Sequence, residues 1–426
     1  MLRHAPAFLL LGMLSLLCPS CAHVQEGAGT TSSPEMPFSV VAIGDAGEAN
    51  SELRANSTLL TNMYSGQHDG GSFDAMIFLG DNFYDTGLNI PADEVEDEVK
   101  QILGPCKITF EALGRQNIHA LPGNHDYYAR NAIEASILFG LISIAEAPVG
   151  LSGRGNARET AIEGWTYHDV MPGTATYPLF KGSPDSVQFV FLDSALPLRT
   201  DTTSWAPALD SLRRLLDASR AQRGIIWRIL CMHHPIYSLG EHGGYSVWND
   251  ETLRVDHLTP CNKDSNAVGW VKNWFDPEDL CAEKYGRFME TLKSVIAASG
   301  VRIQVALTGH DHSLQLLSYP ERDSWCAGCP KLHIVSGAGS RPTMVRFPSP
   351  PEEYTSAPSA PSKRGVSPPG FARLTFTRDR LRVVFFNAFS IAPLDMGGGR
   401  REFVISPDGS LLPEAEGEKE GSQGLE

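Results

Sequence analysis

With 426 residues, 42% of them hydrophobic, the chain can bury one large core or two smaller ones and reads as an ordinary globular protein. Its formal net charge of -15 argues against nucleic acid as the main partner, because phosphate backbones are bound by clustered Lys and Arg. Any phosphate it takes must be held locally. At the N-terminus, Arg3 and His4 precede an apolar run from Ala7 to Leu17 and the small residues Ser20 and Ala22, the layout of a secretory signal spanning residues 1–22. The run is too short to cross a bilayer, so no transmembrane segment is expected and the chain reads as exported, secreted or periplasmic. Cys21 behind Leu17 also resembles a degraded lipoprotein box, which would give a lipid anchor instead.

From His23 to Pro37, Gly, Ser, Thr and Pro make a flexible leader, and a single domain is expected from residue 38 to 406. Short apolar runs follow: Phe38 to Ile43, Ala75 to Leu79, Val187 to Leu192, Ile225 to Met232, Val301 to Leu307 and Leu332 to Val335. Runs of this kind mark strands buried on both faces. Amphipathic stretches lie among them, Ala206 to Ala221 and Tyr285 to Ala298, and the alternation predicts an α/β sandwich. Residues from about 244 to 284, with Trp248, Trp270, Trp274 and Phe275, look like an insertion, read as a lid because it follows a candidate site residue, His242. Prolines from Phe347 to Gly370 predict a long surface loop, and the acidic stretch from Pro407 to Glu426 a disordered tail.

Of eight cysteines, Cys18 and Cys21 fall in the signal, leaving Cys106, Cys231, Cys261, Cys281, Cys326 and Cys329, which an exported protein can oxidise. Proximity suggests Cys261 with Cys281 and Cys326 with Cys329, although sequence does not fix connectivity. The spacing of Cys326 and Cys329 also suits a redox or zinc motif, but no second C-x-x-C completes a zinc site.

Polar residues fall in a telling place. Five segments end in a candidate metal ligand just past an apolar stretch: Gly44-Asp45, Gly80-Asp81 continuing to Tyr84, Gly123-Asn124-His125-Asp126, Met232-His233-His234-Pro235, and Gly309-His310-Asp311-His312. In α/β sheets, ligands bind beyond the carboxyl ends of strands. Glycine precedes the candidate in four of the five, where its missing side chain should permit a sharp turn. Singly, an Asp after Gly is an ordinary turn residue; five in series are not. Oxygen and nitrogen donors without cysteine suit Mn, Fe or Zn at an open catalytic position. Asp45, Asp81, Tyr84, Asn124, His233, His310 and His312 suffice for two ions if one carboxylate bridges them, and two ions ~3.5–4 Å apart form a clamp for displacement at phosphorus.

These motifs resemble those of the calcineurin-like metallophosphoesterases, D-x-G, G-D, G-N-H-D, H and G-H-x-H. More narrowly they are similar to the small, tartrate-resistant purple acid phosphatases. The narrow match rests on G-D-N-F-Y-D-T-G from Gly80, H-H-P-I-Y-S from His233 with E-H-G up to Gly243, G-H-D-H-S-L-Q from Gly309 and S-G-A-G from Ser336. It spans about Phe38 to Ala392. The resemblance implies a four-layer α/β sandwich, two mixed β-sheets packed face to face with flanking helices, and metal ligands on loops at one edge. It puts Asp45, Tyr84 and His312 on a ferric ion, Asn124, His233 and His310 on a divalent ion (Fe, Zn or Mn), and Asp81 between them. A phenol with an ordinary pKa of ~10 independently calls for a strong Lewis acid.

The implied reaction is hydrolysis of small phosphate monoesters by a metal-bound hydroxide, an acid phosphatase activity, with His125 and His242 binding phosphate and protonating the leaving group; the chain is expected to be a monomer. Physical reasoning alone leaves His233 and His234 competing for one ligand role; the resemblance selects His233 and leaves His234 beside the site. His119 and His333 read as hydrogen-bonded core groups, and His68, His168 and His257 as solvated. Ala46 and Tyr127 depart from the family pattern without removing a ligand. A phosphodiesterase, or a nucleotide or lipid-headgroup phosphoesterase, would use the same donors. A noncatalytic iron-binding surface lipoprotein is a rival of another class, disfavoured by the complete donor set.

Overall fold

The computed structural model describes residues 36–67, 71–85, 87, 95–127, 165–168, 171–199, 202–243, 247–249, 254–256, 280, 282–318, 326–346, 353–356 and 364–413. The expected signal with Cys21, nearly all of the expected leader, His68, His257, most of the expected insertion with Cys261 and Cys281, most of the proline-rich stretch and the end of the acidic tail lie outside the described residues.

In chain order the elements are β1 (Phe38–Ile43), α1 (Ser51–Tyr64), β2 (Ala75–Phe78), α2 (Val95–Leu103), α3 (Lys107–Leu113), β3 (Ile118–Ala120), β4 (Thr166–Tyr167), β5 (Gly173–Pro178), β6 (Ser186–Phe191), α4 (Ala195–Arg199), α5 (Thr202–Ala221) and β7 (Ile225–Cys231). There follow β8 (Val247–Asn249), β9 (Arg254–Asp256), α6 (Glu283–Ser299), β10 (Val305–Thr308), β11 (Leu314–Ser318), β12 (Leu332–Ser336), β13 (Met344–Arg346), β14 (Glu353–Thr355), β15 (Arg364–Val366), β16 (Gly370–Phe376), β17 (Leu381–Asn387), β18 (Ala392–Pro393) and β19 (Glu402–Ile405). One mixed sheet has the order β18-β17-β16-β1-β2-β3-β4, with β19 also on β17; the other has the order β14-β11-β12-β10-β7-β6-β5. The neighbours β1, β2, β3 and β4 are parallel, as are β6, β7, β10 and β12, while the remaining pairings, β16 on β1, β11 on β12 and β5 on β6 among them, are antiparallel.

Strand alternation produces four layers. Val40 and Ala42 of β1 meet Ile229 and Cys231 of β7 and Leu307 of β10 in a core between the sheets. Their neighbours Val41 and Ile43 turn outward onto Leu53 and Leu60 of α1 and Phe110 of α3. Leu230 and Met232 likewise face Leu212 of α5 and Phe288 and Leu292 of α6. Each such side chain contributes ~1.5–3 kcal/mol when fully buried, so near-continuous apolar runs are what this architecture requires. The fold is therefore the expected sandwich of two mixed sheets with helices outside.

Several sequence expectations need correction. Val301 to Gln304 precede the strand that begins at Val305; Val301 and Ile303 are apolar because they pack on the helices. The proline-rich stretch is not all loop, since β14 extends the second sheet and buries Tyr354, and β15 pairs with β13. The expected tail starts too early: Leu412 donates its N–H to Val404 O and Leu411 packs on the inter-sheet core. His168 is not solvated. Its ring stacks on Phe191 at 3.9 Å and its Nε2 lies 3.1 Å from Nδ1 of buried His119. Cys326 and Cys329 are paired, whereas Cys106 and Cys231 are buried thiols. Among the described residues, no helix is long and apolar enough to cross a membrane.

Candidate active site

Parallel strands place their carboxyl ends together, and the loops leaving β1, β2, β3, β7 and β10 carry Asp45, Asp81, Asn124, His233 and His310. Backbone hydrogen bonds stitch these loops across the sheets: Asp45 N–H to Gly80 O at 2.9 Å, Gly309 N–H to His233 O at 3.0 Å, and Gly44 N–H to Ser336 O at 2.7 Å. The sharp turning falls on the ligands as much as on the glycines before them. Asp45, Asp81 and His310 have φ of 58°, 51° and 67°, a left-handed conformation that costs a non-glycine residue ~1–3 kcal/mol and is concentrated at functional sites. Gly80 also turns left-handed, but Gly123 mainly gives room: a Cβ there would lie 2.1 Å from Asp81 Oδ1.

The seven candidate ligands converge into two clusters. In the first, the phenol oxygen of Tyr84 lies 3.1 Å from Asp45 Oδ1, 3.1 Å from Asp81 Oδ2 and 3.0 Å from His312 Nε2. In the second, Asn124 Oδ1 is 3.0 Å from His233 Nε2 and 3.1 Å from His310 Nδ1. Asp81 joins them, with Oδ2 on the phenol and Oδ1 3.5 Å from His233 Nε2. His233 Nδ1–H donates to Leu79 O at 2.7 Å, which aims Nε2 at the second cluster. Burial would pull this imidazole down, but Asp81 pushes it up to about 9, so an ion bound there would displace a proton from Nε2.

One phenol proton cannot serve two carboxylates. Burial first, then Asp45 and Asp81, push the Tyr84 phenol well above its ordinary range. Burial alone would raise Asp81, but His233 and then His125 hold it well below the usual carboxylate range. Burial pulls His310 far down, reinforced by His242, His234 and His233. Crowded carboxylates, a phenol that cannot satisfy them and an imidazole, His310, held neutral among other histidines are the environment a multivalent cation relieves. Asp45, Asp81 and His312, and separately His233, His234 and His310, each offer ligand atoms within 4.8 Å of one another. The residues fit metal ions of the Fe, Zn or Mn kind.

His125 and His242 flank the clusters. The His125 ring packs edge-on against Tyr84 at 4.6 Å, its Nδ1–H donates to Asp85 O at 2.7 Å, and its backbone N–H donates to Asp81 Oδ1 at 2.9 Å. The His242 ring lies 4.3 Å from that of His310, and its backbone N–H donates to Asp311 Oδ1 at 3.0 Å. Sequence reasoning passed over Asp126, although it stands in the G-N-H-D motif. Its carboxylate accepts from the N–H groups of Gly123 (2.8 Å), Asn82 (3.0 Å) and Phe83 (3.2 Å), and so fixes the Asp81 and Asn124 loops together. Arg341 was also missed; its guanidinium lies over the Tyr84 ring at 4.0 Å and pairs with Glu48 and Asp85.

No curated protein sequence matches the chain. Solved structures that it resembles include GAP50, the anchor in the inner membrane complex of Plasmodium, at 13% identity and TM-score 0.48, covering 85% of this chain and 90% of that one. Purple acid phosphatase PPD1 from yellow lupin (Lupinus luteus) seeds is similar at 14% identity and TM-score 0.45, over 87% of this chain and 54% of that one. PhoD is similar at 11% identity and TM-score 0.46, over 89% of this chain and 72% of that one. The family model for calcineurin-like phosphoesterases matches residues 38–314, a span that contains both donor clusters and the strands that aim them. The chain accordingly belongs to the calcineurin-like phosphoesterase family, a family of metal-dependent phosphoester hydrolases.

Proposed function

We propose that the protein hydrolyses phosphate monoesters at a dinuclear centre of the purple acid phosphatase type. The observation that carries this reading is the placement of Asp81, one oxygen in each cluster, beside a buried tyrosine oxygen 3.1 Å from both carboxylates. Asp45, Tyr84 and His312 would hold a ferric ion, Asn124, His233 and His310 a divalent ion, and Asp81 both. When bound, the ions supply a hydroxide for in-line attack and neutralise charge on the phosphoryl oxygens.

The chain's own groups complete the reaction. Donation from Nδ1 to Asp85 O and edge-on packing against Tyr84 orient the His125 ring beside the first cluster. His242 is pinned through its backbone to Asp311 on the far side, next to His310. Either imidazolium can bind a phosphoryl oxygen and pass its proton to the departing alkoxide. Export is part of the proposal, supported by the composition of the first 22 residues and the pairing of Cys326 with Cys329.

The test is metal analysis and a visible spectrum of natively metallated protein, with rates on p-nitrophenyl phosphate and bis-p-nitrophenyl phosphate. Two ions per chain, one of them iron, a charge-transfer colour and faster monoester turnover are expected. Faster diester turnover would reassign the substrate class. Bound metal without turnover on either ester would favour a noncatalytic binder.

A further inference from the structure

His233 occupies the ligand position in the second cluster, which leaves the adjacent His234 without a role. It is fully buried, with its ring toward Tyr285 of α6. Ser194, at the end of the β6–α4 connection, grips it twice: the Ser194 hydroxyl oxygen accepts from the His234 backbone N–H at 3.0 Å and lies 2.9 Å from ring Nδ1. The ring packs against Tyr285 at 6.1 Å and against His310 at 4.3 Å. Its Nε2 is buried and meets no hydrogen-bond partner among the described residues. A polar nitrogen is seldom left so in a protein interior.

A purely structural histidine would be expected to engage both ring nitrogens. Here one is anchored by a serine and the other has no partner among the described residues, while ring nitrogens of His233, His234 and His310 all lie within 4.8 Å of one another. An ion with metal–nitrogen bonds of ~2.0–2.1 Å would draw such atoms together with small ring movements. Anchoring the far nitrogen is also how proteins orient an imidazole toward a metal.

We propose that His234 is a third imidazole ligand of the divalent ion, oriented by Ser194. This deepens the dinuclear reading and rests on it. Three imidazoles beside one amide oxygen and one carboxylate make this half nitrogen-rich, and imidazole suits Zn²⁺ better than Mn²⁺. The divalent half would therefore retain zinc in preference to manganese more strongly than a site with two imidazoles.

Zinc-edge X-ray absorption of the zinc-loaded full chain counts imidazoles without any variant, and its comparison with His234→Phe should show one imidazole fewer per chain. Phenylalanine keeps a ring against Tyr285 and His310. Competition against a chelator should show one of the two zinc ions released ~100-fold more easily from H234F, and about tenfold more easily from Ser194→Ala, which frees Nδ1 without removing the ring. The preference for zinc over manganese should narrow in both variants. Wild-type protein with two ions but only two imidazoles on the divalent one, and unchanged retention in S194A, would overturn the assignment and leave the dinuclear site standing. Wild-type protein that holds fewer than two ions would overturn both.

Discussion

Tyr84 is where the ferric reading meets a single atom. Tyr84→Phe removes the oxygen that lies between Asp45 and Asp81 and keeps the ring under Arg341 and against His125. The folded variant should lose the visible charge-transfer band and release iron more readily; an unchanged spectrum would leave a two-divalent-metal enzyme. His125 and His242 are expected to act on protons, a contribution of about 10²–10⁴-fold in kcat. Alanine at either should retain both ions, and the loss should shrink for esters whose leaving group is a weak base. Equal losses on good and poor leaving groups would instead assign these residues to phosphate binding. At this scale the candidate donors were legible because the five segments that carry them each follow an apolar stretch, so that strand chemistry marks position and the polar residue marks use. His233 and His234 were not separable, since adjacent residues share that position and only the hydrogen bonds to Leu79 and Ser194 tell them apart. His168 was misread because its partners, His119 and Phe191, are brought to it from other strands.

The sheets hold the loops in place through aromatic packing that the chemistry does not touch. Phe189 of β6 lies 6.4 Å from Phe38, 6.2 Å from Tyr177 and 5.9 Å from Phe376, bridging both sheets. Phe189→Ala should cost ~3–5 kcal/mol by denaturant titration while the bound metal per folded chain stays the same. A loss of metal at native stability would mean that the sheet positions ligands through this residue directly. The runs behind β1, β2, β6, β7 and β12 could be read because strands buried on both faces must be apolar throughout. The bounds of β10 and the strands β14 and β15 could not. Val301 and Ile303 are apolar for the sake of helix packing, and Tyr354 of β14 is buried within a segment whose prolines suggest only loop.

Over the whole molecule, the buried histidines away from the site set an acid limit. Burial pulls His119 to about 4 and His333 to about 4, and burial with His119 pulls His168 to about 3. An unfolded chain takes up these protons at a pKa of ~6.5, so the stability they confer is complete above that pH. It is lost as pH falls from there through about 4 and 3. Thermal unfolding followed between neutral pH and pH ~4 should show a falling Tm. His168→Phe, which can keep the stack on Phe191, should flatten that fall, and an identical slope would assign the acid sensitivity elsewhere.

The division of the candidate ligands between the sheets has a mechanical consequence. Asp45 and Tyr84 come from loops of one sheet and His312 from the other; Asn124 comes from the first, His233 and His310 from the second. An ion held in either half would thus be a rivet through both plates of the sandwich, placed at one rim. Free metal at 100 times its Kd would add ~2.7 kcal/mol against any opening that parts the plates there. Chelation should therefore unzip the molecule from one end: amides just beyond β1, β2, β7 and β10 should exchange with solvent first, while those of β6 and β16 stay protected until global unfolding.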